Sequence, residues 1–268
     1  MRRRVSGAGG RDEGRGCRVP GAGGRDEGRG CRGPGAGGRD DSSSSVVRHP
    51  APCTRHPSVR HPHDNYAVVD ASRFGDIGEI AEAVRACTAC PLSATRKNAV
   101  PGEGGGKGGM VLVGEAPGAR EDAQGRPFVG MAGRILNGLL KRNGVLREEV
   151  FITNVVKCRP PGNRPPKPDE IAACRPFLER QLEILAPAVV CPMGNSSTRA
   201  LVDKKVNITR MHGTPVEKDG LVYFPLYHPA ATLYNRKLLK GLEEDFSNLG
   251  RLARGKTGGQ TRLIPGEE

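Results

Sequence analysis

The 268-residue sequence has no apolar run close to the roughly 20 residues that a membrane-spanning helix needs. Its N-terminus is rich in Arg and Gly and has no apolar segment of the kind that marks a secretory signal. We therefore expect a cytoplasmic protein without membrane contact. In that compartment thiols stay reduced, so clustered cysteines are expected to bind metal rather than to form disulfides.

Apolar residues are also scarce in residues 1–66. The segment GAGGRDEGRGCRVP at 7–20 returns as GAGGRDEGRGCRGP at 21–34. A repeat with hardly any β-branched or aromatic residues cannot bury enough apolar surface to offset its ordering entropy. We expect residues 1–66 to be a disordered extension, or translated DNA upstream of the true start. Residues 67–254 are expected to form one domain and residues 255–268 a flexible tail.

The net charge of the chain is +13. Residues 67–268 hold 29 Lys and Arg against 22 Asp and Glu. A basic folded region suits a polyanionic partner such as DNA, because cations near phosphates release condensed counterions. A soluble surface that is basic without such a partner explains the charge equally well, so charge alone does not decide.

From Tyr66 onward the sequence alternates between apolar runs and amphipathic patterns. Asp76 is a predicted N-cap for a helix that leads into a cysteine pair. Strands are predicted at 110–114, 150–156, 188–194 and 221–227, and helices at 130–142, 168–185, 196–203 and 235–253. This alternation predicts an α/β fold of three α/β/α layers around a four-stranded, mostly parallel sheet.

Loops of unusual composition follow all four predicted strands. In chain order they read GEAPGAREDAQGRPFVG, KCRPPGNRPPKP, GNSS and HPAATLYNRK. Because ligands bind such sheets where loops leave the carboxyl ends of the strands, these loops are expected to converge on one rim. Each loop alone is a weak signal, since α/β proteins commonly have Gly-rich loops there.

Four cysteines of the domain form a candidate metal site: Cys87, Cys90, Cys158 and Cys174. The C-x-x-C pair lets two sulfurs reach one ion, and the loop between Cys158 and Cys174 must fold back to add the others. Four thiolates suit either a cubane iron-sulfur cluster or a structural zinc ion, and the spacing does not separate the two. Four unrelated buried thiols are the remaining alternative. Cys191 lies in an apolar strand and is expected to be core packing.

The cysteine pair and the loop motifs together resemble a known family. GEAPGAREDAQGRPFVG, TNVVKCRPPGNRPP, AACRPFL and YHPAA are similar, in this order, to the bacterial and archaeal iron-sulfur uracil-DNA glycosylases, family 4 of the uracil-DNA glycosylase superfamily. The resemblance covers about residues 75–250. It implies a [4Fe-4S] cluster on the four cysteines. It also implies hydrolysis of the N-glycosidic bond of uracil in DNA, which leaves an abasic site for base excision repair.

The resemblance assigns roles around the base. Phe128 in RPFVG matches the aromatic residue on which the flipped base stacks, and such stacking contributes about 1–3 kcal/mol per base. His228 in YHPAA matches the donor to the departing base. Glu115 in GEAPG matches the acidic position that activates water and stabilises the sugar cation. Glu121 and Asp122, in the same loop, are open alternatives or partners for that task.

The residue types agree with this chemistry. The Asn154 amide can pair with O4 and N3–H of uracil, whereas the exocyclic amine of cytosine presents the wrong pattern. A strand-end Asn is otherwise often a turn former. The backbone of Ala116, Pro117 and Gly118 is expected to line the pocket, because Gly allows close approach and Pro holds the turn open.

DNA contacts are expected from two rims of the pocket. The candidates are Arg159, Arg164 and Lys167 on one rim and Leu233, Tyr234, Arg236 and Lys237 on the other. Cations would meet phosphates, and an apolar side chain such as Leu233 would fill the gap left by the flipped base. Solvated loop charge is the plain alternative for each basic residue.

We therefore expect a monomeric, nucleoid-associated uracil-DNA glycosylase that acts on uracil-containing DNA and whose cluster positions the DNA-facing loops. Three alternatives stay open: a glycosylase with a wider range of deaminated bases, a non-enzymatic iron-sulfur module that binds DNA, and a zinc-ribbon protein. A substrate panel tests the first. Variants of Glu115 and His228 test the second, and the brown colour of an iron-sulfur protein tests the third.

Overall fold

The computed structural model describes residues 69–107 and 109–256. The predicted extension at 1–66 and most of the predicted tail at 255–268 lie outside the described residues. The last helix, Lys237–Lys256, reaches two residues into the segment predicted as a tail. Within the described part of the chain, no helix is long and apolar enough to cross a membrane.

The centre of the domain is a five-stranded sheet with the strand order β2-β1-β3-β5-β4. Its strands are β1 Met110–Gly114, β2 Phe151–Asn154, β3 Val189–Pro192, β4 Val216–Lys218 and β5 Leu221–Tyr223. Strands β1, β2, β3 and β5 are parallel, and β4 pairs with β5 in the antiparallel direction. The predicted mostly parallel sheet is confirmed, with one strand more than the four predicted.

The additional strand, β4, is short and lies at the edge of the sheet. Its sequence, Val-Glu-Lys, lacks the apolar run that marks the other four strands. Asp219 and Gly220 join β4 to β5 with positive φ angles of 50° and 76°, as a type I′ hairpin turn requires. The Asp-Gly pair was the local signal for this strand. Charged residues suit an edge position because they oppose pairing with another chain.

Helices cover the sheet. They are α1 Ile77–Ala86, α2 Leu92–Thr95, α3 Ala119–Gln124, α4 Met131–Arg142, α5 Pro168–Leu185, α6 Asn195–Leu201, α7 Ile208–Met211, α8 Ala231–Tyr234 and α9 Lys237–Lys256, with 3-10 turns at Arg147–Glu149 and Pro161–Asn163. The predicted cap of α1 is confirmed, since Asp76 Oδ1 accepts the N–H of Glu79 at 2.9 Å. The predicted helices match α4, α5, α6 and α9 to within about three residues at each end, the usual uncertainty of such boundaries.

The core lies on both faces of the sheet because alternate residues of a strand point to opposite faces. Val111 and Val113 of β1 pack in one core layer with residues of α1 and α5. Met110 and Leu112 pack in the other with residues of α4 and α9. This confirms the three-layer α/β/α arrangement and explains why the strands read as continuous apolar runs. The parallel strands all end at one edge, so the loops that follow them meet there.

Candidate active site

A cavity of about 390 Å³ opens at the carboxyl edge of the sheet, a size typical of small-molecule sites. The loops after β1, β2 and β5 contribute to its wall. All the side chains predicted to contact the base line it: Glu115, Ala116, Pro117, Phe128, Asn154 and His228. Gly194, in the loop after β3, packs closely against His228 of the wall. A Cβ atom at position 194 would lie only 3.1 Å from the Cβ of His228. The structure thus brings the predicted substrate-binding residues together.

Asn154, the last residue of β2, lies beside Gly114, the last residue of β1. A Cβ atom at position 114 would overlap Asn154 Oδ1 and the Phe128 ring, so glycine lets both groups reach the cavity. Asn154 is only 1% exposed. Within the described residues, its Nδ2 atom is the one buried side-chain nitrogen or oxygen without a hydrogen-bond partner. Because such a group costs about 1–3 kcal/mol, its presence at a cavity wall indicates that a ligand completes it.

Phe128 has a φ angle of 50°, a strained conformation for a non-glycine residue that the surrounding structure must hold in place. Glu121 holds the residues that follow, since its Oε1 atom accepts the N–H groups of Val129 at 3.0 Å and Gly130 at 2.8 Å. The Phe128 ring stacks near the His228 ring, with 5.7 Å between the centroids. The two rings therefore define one wall of the cavity.

His228 is a neutral hydrogen-bond donor at neutral pH. Burial lowers the pKa of His228 to about 4, and the negative charge of Glu121 acts in the opposite direction. The Nδ1 atom accepts the N–H of Ala230 at 3.1 Å, so the single proton of the neutral ring is on Nε2. Nε2–H is then available to an acceptor in the cavity.

The three candidate acidic residues have different surroundings: Glu115 lies in the loop after β1, and Glu121 and Asp122 lie in α3. Glu115 lines the cavity, and its carboxylate makes no hydrogen bond or ion pair with the described residues. Glu121 also lines the cavity, but one of its oxygens is engaged by the Phe128 loop. Asp122 is buried and accepts the backbone N–H of Lys97 at 2.8 Å. Glu115 is thus the carboxylate with both oxygens available to a ligand.

Gly114→Ala is expected to impair this site while the fold persists. The added methyl group would displace the Asn154 amide and the Phe128 ring, and overpacking of this kind costs about 1–3 kcal/mol of stability. Gly138→Ala in α4 is the matched control, because nothing lies within 4 Å of a Cβ atom there, and alanine favours a helix by up to about 1 kcal/mol. Thermal unfolding and the affinity for free uracil measure both variants. Equal behaviour of the two would contradict the role assigned to Gly114.

The surroundings of His228 also determine part of the pH dependence of stability. An unfolded chain protonates this histidine near the ordinary pKa of 6.5, whereas the folded protein does so only near pH 4. Between these values the unfolded state binds more protons, so the free energy of unfolding falls as the pH is lowered. In His228→Gln this slope should be shallower by at most about 1.4 kcal/mol per pH unit. Urea unfolding across this range measures both slopes, and parallel curves would contradict a partly buried His228 that stays neutral in the folded protein.

The four predicted metal ligands converge on a second cavity, which is lined by Cys87, Cys90, Cys158 and Cys174 and also by Arg96 and Lys157. Within the described residues, no three Cys, His, Asp or Glu side chains are close enough to share one metal ion. Cys191 is fully buried in the core, as predicted.

Nitrogen donors and burial define the chemistry of these sulfurs. Arg96 Nη1 donates to Cys158 Sγ at 3.0 Å, and the backbone N–H of Lys157 donates to Cys174 Sγ at 3.3 Å. Burial raises the pKa of the Cys90 and Cys158 thiols above its ordinary value. It raises the pKa of the Cys174 thiol further, to about 12. Such sulfurs become thiolates when a metal binds them. Because hydrogen bonds to the sulfurs are a feature of iron-sulfur sites, this donor set fits a cluster.

One predicted DNA-facing rim is formed by α8 and the residues after it. Leu233 is 46% exposed and Tyr234 is 92% exposed, on the short helix that follows the His228 loop. Arg236 is exposed as well. The exposure of Leu233 and Tyr234 leaves both side chains available to a partner, and their contact with DNA stays a prediction.

The other predicted rim, in the loop after β2, is braced by its own arginines. Both Nη atoms of Arg164 donate to the buried Glu170, at 2.8 and 2.6 Å. Arg159 Nε donates to Asn163 Oδ1 at 2.8 Å. These bonds give both arginines a role in shaping the loop, and their contact with DNA stays a prediction.

The residues that hold the Phe128 loop in place were missed by the sequence analysis. Arg147 Nη2 donates to the carbonyl oxygen of Pro127 at 2.6 Å and to Glu103 Oε1 at 2.8 Å. Gly133 leaves room for the Phe128 carbonyl, which a Cβ atom would overlap. No local pattern identifies Arg147, because its partners are distant in sequence. The Gly130 and Gly133 pair at the start of a helix was the available signal for close backbone packing.

The fold and the site define an α/β protein with a cavity at the carboxyl edge of its sheet, one wall of which is formed by the Phe128 and His228 rings. Residues 101–248 match the model of the family described as the Uracil DNA glycosylase superfamily. The chain is 48% identical over 184 residues to the type-4 uracil-DNA glycosylase of Sulfurisphaera tokodaii, an alignment that covers 65% of this chain and 84% of that protein.

Two further relatives, a type-4 and a type-5 uracil-DNA glycosylase, are similar to this chain at different levels of sequence identity. The type-4 uracil-DNA glycosylase of Thermotoga maritima is 49% identical over 159 residues, with 59% of this chain and 83% of that protein covered. The type-5 uracil-DNA glycosylase of Pyrobaculum aerophilum is 32% identical over 139 residues, with 45% and 61% covered. The chain belongs to the type-4 uracil-DNA glycosylases of the Uracil DNA glycosylase superfamily.

Proposed function

We propose that this protein is a DNA repair glycosylase that flips uracil out of DNA and hydrolyses its N-glycosidic bond, leaving an abasic site. The observation that carries the proposal is the buried Asn154 amide, whose Nδ2 atom has no partner among the described residues and lies at the wall of the cavity. Membership of the type-4 family supports the same activity.

Two residues would bind the flipped base. Uracil stacks on Phe128, which recovers part of the unstacking cost of base flipping. The Asn154 amide donates from Nδ2 to O4 and accepts N3–H at Oδ1. Cytosine would place a donor against the Nδ2 donor and leave Oδ1 unpaired, so it is rejected by two mismatched contacts in a buried site.

The cleavage step uses the two remaining cavity residues. The bond between C1′ of the sugar and N1 of uracil breaks, and its electron pair leaves with the base. Nε2–H of His228 stabilises the negative charge that develops at O2 of uracil, and does so without the cost of deprotonating a cation. The Glu115 carboxylate stabilises the positive charge on the sugar and accepts a proton from the water that adds to C1′. Uracil then gains a proton at N1 from solvent.

Cys87, Cys90, Cys158 and Cys174 would hold a [4Fe-4S] cluster. The N–H donors to the sulfurs of Cys158 and Cys174, and the resemblance of the cysteine motifs to the iron-sulfur uracil-DNA glycosylases, support a cluster over a zinc ion. When bound, the cluster supplies a rigid cross-link between the end of α1, the loop after β2 and α5. Cys158, as one of its ligands, would hold in place the neighbouring loop that contains Arg159 and Arg164 and that is predicted to face DNA.

Release of free uracil from a uracil-containing oligonucleotide by anaerobically purified protein tests this function. Iron and sulfide analysis of the same sample tests the cofactor independently. A brown, folded protein that binds DNA but releases no uracil would replace the glycosylase with a binding module. Equal rates on other deaminated bases would widen the substrate range instead, and a colourless protein with one bound zinc would replace the cluster.

A further inference from the structure

Lys157 is a buried lysine between the base pocket and the thiol cavity. It is only 1% exposed, and within the described residues no Asp or Glu carboxylate pairs with it. An ammonium group in such a place is costly unless it is hydrogen-bonded and balanced by negative charge. Its presence therefore indicates a function that an apolar residue would not serve.

The hydrogen bonds of the Lys157 side chain are complete. Its Nζ atom donates to Thr153 Oγ1 at 2.6 Å, to the carbonyl oxygen of Asn154 at 2.9 Å and to Gln181 Oε1 at 2.7 Å. Three acceptors match the three protons of an ammonium group. All three are formally neutral, so they satisfy its hydrogen bonds without balancing its charge.

The negative charge comes from the other side of the residue. Lys157 lines the thiol cavity together with Cys158 and Cys174. Its backbone N–H donates to Cys174 Sγ, and Cys158 follows it directly in the chain. Thiolates that bind a metal carry the charge that the ammonium group lacks among its oxygen partners.

We propose that Lys157 is a positioning residue that balances the charge of the metal-loaded thiolates and fixes the backbone carbonyl of Asn154, so that the metal centre and the base-reading amide share one support. This inference rests on the proposed cluster and on the proposed role of Asn154. The segment from Asn154 to Cys158 spans both sites, and the Lys157 side chain folds back along it. Retention of the metal and affinity for uracil are then linked through this one residue.

The test uses anaerobically purified holoprotein and two readouts besides activity: the rate of iron release to an excess of chelator, and the dissociation constant for free uracil. In Lys157→Met we expect iron release to be faster by about tenfold or more, since residues that support metal ligands typically have effects of that size. The dissociation constant for uracil should rise about fivefold, because Asn154 loses a charged donor at its carbonyl. Methionine suits the volume, and replacing a buried charge by an apolar residue is often tolerated.

Two controls separate this role from general destabilisation. Thr153→Val removes one acceptor of the same ammonium group and keeps the charge. Leu139→Ala destabilises the core layer that contains α4, away from the thiols. Both variants are expected to change the iron-release rate and the dissociation constant for uracil less than twofold. Neither variant removes the Lys157 charge or its hydrogen bond to the Asn154 carbonyl. Lys157→Gln, which keeps a donor but no charge, replaces the methionine variant if that one fails to fold, with the same iron result expected.

Three other outcomes overturn the inference, and a fourth concerns the proposed enzyme. Iron release that follows the free energy of unfolding across all variants would make Lys157 merely structural. A change in only one of the two readouts would break the link between the sites. Wild-type protein that binds no iron would remove the cluster and this inference together. Wild-type protein that holds iron but releases no uracil from DNA would show failure of the proposed enzyme instead, and the iron readout would still judge the charge-balancing role.

Discussion

Asn154→Ala is expected to lower kcat/KM for uracil excision by about 10²- to 10³-fold without lowering the free energy of unfolding. The activity falls because the base loses both contacts that read it, and the bond from Nδ2–H to O4 is one that strengthens as negative charge develops on the departing base. The stability persists because the variant also removes a buried amide nitrogen that has no partner among the described residues. The unpaired amide destabilises the wild-type protein by about 1–3 kcal/mol, and its removal offsets the packing that the variant loses.

Asn143→Ala is the control for Asn154→Ala. The Asn143 side chain donates to the carbonyl of Leu139 at 2.8 Å at the end of α4, and it does not line the cavity. It should keep wild-type activity and lose some stability. Single-turnover excision and urea unfolding of both variants give the comparison. An Asn154→Ala protein that is active but unstable would mean that the amide is structural.

Glu115→Gln is expected to lower kcat by about 10²- to 10⁴-fold, the range associated with a general base, and to change KM little. Glutamine keeps the shape of the side chain but carries no charge to stabilise the sugar cation and accepts no proton from water. Because these contributions arise in the transition state, the loss should appear in kcat rather than in binding.

Glu121→Gln distinguishes Glu115 from the other glutamate of the cavity. A glutamine oxygen can still accept the N–H groups of Val129 and Gly130, which are the bonds that Glu121 makes. This variant should therefore retain activity within about tenfold of wild type, since it keeps the loop in place. The reverse ranking, with Glu121→Gln the more damaging change, would transfer the catalytic role from Glu115 to Glu121.

Much of the fold was predictable because its signals are local. The apolar run at 110–114 predicted the observed first and last residues of β1. The predicted start of α5 at residue 168 is also the observed one, and proline is common at the first position of a helix. β4 was missed because an edge strand has no buried face to impose an apolar pattern. The local signal for this strand is the Asp219-Gly220 turn, which is typical of a β-hairpin.

The membership of the site was also predictable, but the division of labour within it was not. Glu115, Glu121 and Asp122 are equivalent in sequence, since all are acids of one predicted loop. They differ only in which backbone N–H groups the folded chain brings to them. Likewise, Arg164 was predicted from its charge to meet phosphate, and the folded chain pairs it with the buried Glu170.

The sequence by itself determined the α/β class, the order of the strands along the chain and the residue types that meet at their carboxyl ends, because periodicity, caps and turns act over a few residues. Tertiary structure decided the rest. It left the Asn154 amide unpaired, lowered the pKa of His228 by burial, and placed Lys157 between the two cavities. Those properties depend on desolvation and on partners distant in the chain, which no local pattern encodes.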